Sequence, residues 1–80
     1  MENTILKIVE KKQGRKWVEE YRTKDVTTVY RELGLRMVSK KLQHCNWIKS
    51  IRHTTLYNGY QKIIITYDNG YRDVFYVENK

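Results

Sequence analysis

Three stretches rich in β-branched and aromatic residues, Ile48–Tyr57, Tyr60–Tyr67 and Tyr71–Val77, follow one another at the end of the chain, separated by Asn58-Gly59 and Asn69-Gly70. Asn followed by Gly best tolerates the positive φ that a two-residue hairpin turn needs at both central positions. The pattern therefore predicts a three-stranded antiparallel meander whose register is set by its turns. With both pairs as two-residue loops, one face carries Ile51, His53, Ile64, Phe75 and Val77. The other carries Arg52, Leu56, Ile63, Ile65, Tyr67, Arg72, Val74 and Tyr76. Both faces are partly apolar, whereas a sheet wetted on one side alternates cleanly, so each face is expected to have a cover.

Upstream, Thr4–Val9 and Trp17–Arg22 have strand-like composition, and Gln13-Gly14 lies between them as a first hairpin turn. That turn sets Leu6 opposite Tyr21, Glu10 opposite Trp17 and Lys7 opposite Glu20. Asp25 then precedes Val26-Thr27-Thr28-Val29-Tyr30, where its side chain is suited to cap a helix. Val26, Val29, Tyr30, Leu33 and Met37 fall on one helical stripe, while Leu35, Val38, Leu42 and Cys45 fall on a second. One sheet face cannot cover both stripes. Either Gly34 breaks the segment into two helices, or one helix of about twenty residues buries its second stripe elsewhere, against another copy of the chain.

The expected fold is a single small α+β domain over residues 1–80, in the order ββαβββ. An antiparallel sheet of about five strands, ending in the meander, packs on one helix, whole or broken. A chain of 80 residues buries only about 60–65% of its unfolded surface, so the core is thin and leans on Trp17, Trp47, Phe75 and seven tyrosines.

Charge changes the picture from fold to partner. Sixteen Lys and Arg against nine Asp and Glu give a formal net charge of +7, a field that attracts nucleic acid or an acidic protein. Cys45 is the only cysteine, which excludes an internal disulfide and fits a cytoplasmic protein. No apolar run reaches the length of a membrane span, and the first twenty residues lack a signal peptide's apolar stretch, so no membrane partner is expected. The absence of Ala and Pro beside abundant Lys, Ile, Asn and Tyr points to an A+T-rich genome, that of a low-G+C bacterium or its mobile element.

Basic residues interleaved with aromatic ones carry the clearest candidate chemistry. Arg52, Tyr67, Arg72 and Tyr76 share one predicted sheet face, where bases stack on the two tyrosines and the guanidiniums meet phosphates. Lys11, Lys12, Arg15 and Lys16 make a positive tip at the first turn, suited to a phosphate backbone and also to keeping an exposed edge from pairing. Val29-Tyr30-Arg31-Glu32-Leu33-Gly34-Leu35 resembles the first helix and turn of the helix-turn-helix motif, with Val38-Ser39-Lys40-Lys41-Leu42 as the start of a recognition helix. The stretch between Leu35 and Val38 is about two residues short of the usual turn.

His44, Cys45 and His53 do not have the spacing of a metal site, and no cofactor is expected. Asp68 and Asp73 flank the second Asn-Gly pair and read as turn chemistry. No nucleophile, base and orienting group occur together, so the chain is read as non-enzymatic. The expected function is a nucleic-acid-binding accessory protein. The alternative is a protein-interaction or homo-oligomeric module, a homodimer being its simplest form.

Overall fold

The computed structural model describes residues 5–41, 47–56 and 59–78. Five antiparallel strands, β1 (Leu6–Gln13), β2 (Lys16–Thr23), β3 (Ile48–Thr55), β4 (Tyr60–Tyr67) and β5 (Tyr71–Glu78), form one sheet in the order β2-β1-β5-β4-β3, and helix α1 (Val26–Lys41) lies between β2 and β3 in sequence. The α+β class, the element order and the meander agree with the sequence pattern. Thr4, Leu42, His44, Cys45, Tyr57 and Asn58 lie outside the described residues.

All three hairpins depart from the expected register, the two meander hairpins by one residue and the first hairpin by two at its tip and three beyond its bulge. Thr55 pairs with Gln61 and Thr66 with Arg72, pairings that put an odd number of residues between the paired positions where a two-residue loop puts an even one. Gly59 and Gly70 take positive φ, 76° and 84°, as the last residue of a three-residue hairpin loop does when it swings into the left-handed region. The Asn69 side chain accepts the Tyr71 N–H at 3.1 Å, closing the second loop. In the first hairpin Gln13 pairs with Lys16, which makes Gly14 and Arg15 the turn, with Gly14 at φ 63°. Lys7 is accordingly opposite Thr23, Val9 opposite Tyr21, and Lys12 opposite Trp17. A bulge at Val9/Glu10 brings Glu10 to Glu19.

Relative to the expected faces, these shifts turn β4 over and leave its neighbours in place. Ile63, Ile65 and Tyr67 join Ile51, Phe75 and Val77 on one face, while Ile64 joins Arg52, Arg72, Val74 and Tyr76 on the other. The first face is the one α1 covers. Its core consists of Val29, Ile48, Ile63, Ile65, Tyr67, Phe75 and Val77, with Ile5, Leu33, Ile51 and Tyr71 packed around it.

The Asp25 cap holds the helix start as the sequence implies. Its carboxylate accepts the Thr27 N–H at 3.2 Å and the Thr28 hydroxyl at 2.6 Å, and its carbonyl accepts the Val29 N–H at 2.9 Å. The Thr28 hydrogen bond, followed by the backbone N–H groups, holds the Asp25 carboxyl below its ordinary pKa.

The helix runs unbroken through Gly34. This removes the turn on which a helix-turn-helix reading depends and settles the choice between one helix and two. Of the first apolar stripe, Val29 is fully buried and Leu33 and Met37 are half-buried, whereas Val26 and Tyr30 stay exposed. Of the second stripe, the described residues Leu35 and Val38 are 56% and 55% exposed.

Two substitutions check this backbone. A Cβ at Gly70 meets nothing within 4 Å, so the strain of Gly70→Val comes only from its φ of +84°, and chemical denaturation should register a loss of about 1–3 kcal/mol. Gly34 also has open space around its Cβ position but ordinary helical φ. Gly34→Ala should therefore raise stability by about 0.5–1 kcal/mol, and a loss instead would mean the helix is not continuous there.

Candidate nucleic-acid interface

The face of the sheet turned away from α1 is a lattice of side chains that the register fixes row by row. One row runs Thr66, Arg72, Glu10 and Glu19 across β4, β5, β1 and β2. The next runs Arg52, Ile64, Val74, Ile8 and Arg22 across all five strands, and a third runs Thr54, Lys62, Tyr76 and Leu6. Arginine therefore flanks an apolar middle at both edges. Val74 at its centre is only 4% exposed although no helix lies over it. Long neighbouring side chains, lying flat on the sheet, can close over such a position.

Cations and rings are paired on this face. The Arg72 guanidinium stacks over the Trp17 ring at 4.4 Å from its centroid, and its Nε donates to Glu10 Oε1 at 2.5 Å. Lys62 Nζ stands 5.6 Å from the centroid of Tyr76. Such contacts hold the charged heads beside π-faces. Glu19 is bound by Arg22, which lowers the carboxyl pKa chiefly through their hydrogen bond.

Three of the four residues expected to share a face do so: Arg52, Arg72 and Tyr76. Tyr67 does not. With β4 turned over, Tyr67 lies beneath α1, is 7% exposed, and has no open ring face to offer a base. Its hydroxyl donates to Asp73 Oδ2 at 2.5 Å and accepts Arg36 Nε at 2.7 Å, and its ring stacks on Trp47 at 5.1 Å. Burial, reinforced by the Asp73 carboxylate, pushes the Tyr67 phenol well above its ordinary pKa, so it stays a donor to that carboxylate. Asp73 is likewise no turn residue but a buried acceptor, 3.7 Å from Arg36.

The basic tip is where the sequence puts it. Lys11, Lys12, Arg15 and Lys16 are all exposed around the β1–β2 turn, and Lys11 Nζ lies 5.7 Å from the Tyr71 ring centroid on the helix-side face. The tip adjoins the β4–β5 loop through Lys12 N–H to Gly70 O at 2.7 Å. Lys62, Trp17 and Glu10 complete the open face and were not singled out by sequence reasoning. A three-residue reading of the Asn-Gly loops would have found Lys62 beside Tyr76, because it pairs those two positions directly.

Two polar ties fasten α1 to the opposite face: the Arg36 link to Tyr67 and Asp73, and an ion pair between buried Lys7 and Glu32. Among the described residues no group of three or more His, Cys, Asp or Glu side chains could hold a metal ion, and no helix is long and apolar enough to cross a membrane. No family model matches the chain, and no curated protein and no solved structure matches it significantly.

Removing the Tyr67 hydroxyl tests the buried tie. Tyr67→Phe leaves Asp73 without its donor in a site 4% exposed, and should lower unfolding free energy by about 1–3 kcal/mol in urea. A variant as stable as the parent would show that Arg36 donates directly to Asp73 in its place.

Proposed function

We propose that this protein is a small, non-enzymatic nucleic-acid-binding accessory protein, of a low-G+C bacterium or one of its mobile elements, that uses the open face of its sheet and the basic tip beside it. The observation that carries this reading is the pairing of cations with aromatic rings on a sheet face that no helix covers, in a chain of net charge +7. Phosphates supply counter-charge for the cations that the sheet leaves unpaired, and Tyr76 supplies a surface on which bases of any identity can stack. The tip meets backbone phosphate and carries no sequence information.

A second reading rests on a different surface. Leu35 and Val38 on α1, together with Val18, Tyr21 and Trp47, are exposed large hydrophobic residues. All five lie on the helix side of the molecule. They favour a protein-interaction or homodimeric module, which is compatible with nucleic acid on the opposite side. Sedimentation equilibrium at high micromolar concentration distinguishes the two, since a species of 9.8 kDa alone removes self-association.

Fluorescence anisotropy with labelled single- and double-stranded DNA and RNA, between about 50 and 200 mM salt, tests the proposed function. A complex neutralising about four to six phosphates should give a log–log salt slope of roughly −3 to −5. Changing Lys11, Lys12 and Lys16 to Glu should flatten that slope, whereas Tyr76→Ala should cost about 1–3 kcal/mol on single strands with little change in it. Absence of binding at the low-salt end overturns the nucleic-acid reading.

A further inference from the structure

Carboxylates are unevenly placed on the open face. Between Glu32 and Asp68 the chain has no Asp or Glu, so hairpin β3–β4 carries Lys49, Arg52 and Lys62 with no side-chain anion of its own. Glu10 and Glu19 stand opposite each other on β1 and β2, and Glu78 closes the far end of β5 opposite Tyr60. The arginines nearest the first two are already engaged: Arg72 by Glu10 and Arg22 by Glu19. Among the described residues neither Arg52 nor Lys62 is paired with a carboxylate.

Formal charge on the two halves therefore differs in kind. Over β1, β2 and the start of β5, each of two arginines is paired with a glutamate, Arg72 with Glu10 and Arg22 with Glu19. Over β3 and β4 the two cations are uncompensated, and the hydroxyls of Thr54 and Thr66 share their face. Away from the basic tip, a phosphate approaching the first half meets arginines already engaged by carboxylates, and in the second half it meets cations without a carboxylate partner and neutral donors.

We infer that the face has a directed track: a single strand of nucleic acid lies along β3, β4 and the Tyr76 end of β5, with Arg52 and Lys62 as its phosphate contacts, and Glu10 acts as the border that withholds Arg72 from it. This rests on the nucleic-acid reading and refines it, because it moves the phosphate contact from Arg72 to Lys62. Glu10 is here a specificity-determining residue that acts through Arg72. In the free protein it occupies the guanidinium with a carboxylate where a phosphate would otherwise bind, and Trp17 holds that guanidinium flat.

The test is salt-dependent anisotropy on a labelled oligodeoxythymidine of about a dozen nucleotides, a length within the range of small single-strand sites. Each lost phosphate contact on a single strand reduces the slope by about 0.7. Arg52→Gln with Lys62→Gln should flatten it by about 1.4, and Arg72→Gln should leave it unchanged. Glu10→Gln releases Arg72, steepening the slope by about 0.7 and raising low-salt affinity severalfold. Thermal melts of each variant establish that it is folded before binding is compared. If the parent protein binds but the double variant keeps the parental slope, or Arg72→Gln flattens it, the track is wrong while the nucleic-acid reading stands. If the parent protein does not bind, the reading itself fails.

Discussion

A glycine at φ 84° in the last position of the β4–β5 loop, and its counterpart at 76° before β4, decide which side of every strand in the meander meets the helix. Side chains alternate along a strand with a period of two, so one added loop residue inverts a strand's contribution to both faces at once. With three-residue loops, Ile63, Ile65 and Tyr67 enter the core together with Phe75 and Val77. The lysine, arginine and tyrosine positions on the far face follow from the same step, without any separate requirement of their own.

The helix adds a second constraint, which is polar. Its apolar contribution to the core is small, with Val29 fully buried and Leu33 packed beside the cluster. What fixes its orientation is a pair of charged links, Lys7 with Glu32 and Arg36 with Tyr67 and Asp73, at separate points along its length. Ion pairs removed from water return little net stability, because desolvation offsets most of their attraction. Their geometry, however, admits one placement of α1 among the many that a greasy contact would tolerate. The outward residues Leu35 and Val38 are left exposed as a result.

Element order, the Asp25 cap and the meander were legible in the sequence, since each is local: a strand is a run of β-branched residues, and a cap is an acceptor placed before free N–H groups. The faces were not legible. Asn-Gly serves a two-residue turn and a three-residue loop alike, and the choice lies in strand pairing outside the turn. Tyr67 was misplaced for this reason alone, whereas Arg52, Arg72 and Tyr76 kept their common face because β3 and β5 shifted together relative to β4. Gly34 left one helix or two open in the sequence, and its helix penalty of about 1 kcal/mol does not break α1. Of the candidate site, the cations were visible as residue types, but the carboxylates that engage two of them became visible only once the five strands were in order.

Strand order carries a consequence for how the chain reaches this state. The β1–β2 hairpin and the β3–β4–β5 meander each pair only neighbours in sequence, and such hairpins close on a microsecond scale. The seam that joins them, β1 against β5, couples Leu6 to Tyr76 and Lys11 to Tyr71, residues about sixty to seventy positions apart. It also lies near the middle of the sheet, and its closure brings the buried Leu6 and Val9 of β1 against the meander that holds most of the core. Folding is thus expected to hinge on one late docking of two preformed pieces, and the earliest and latest strands of the chain, centrally joined, make its last and most cooperative contact.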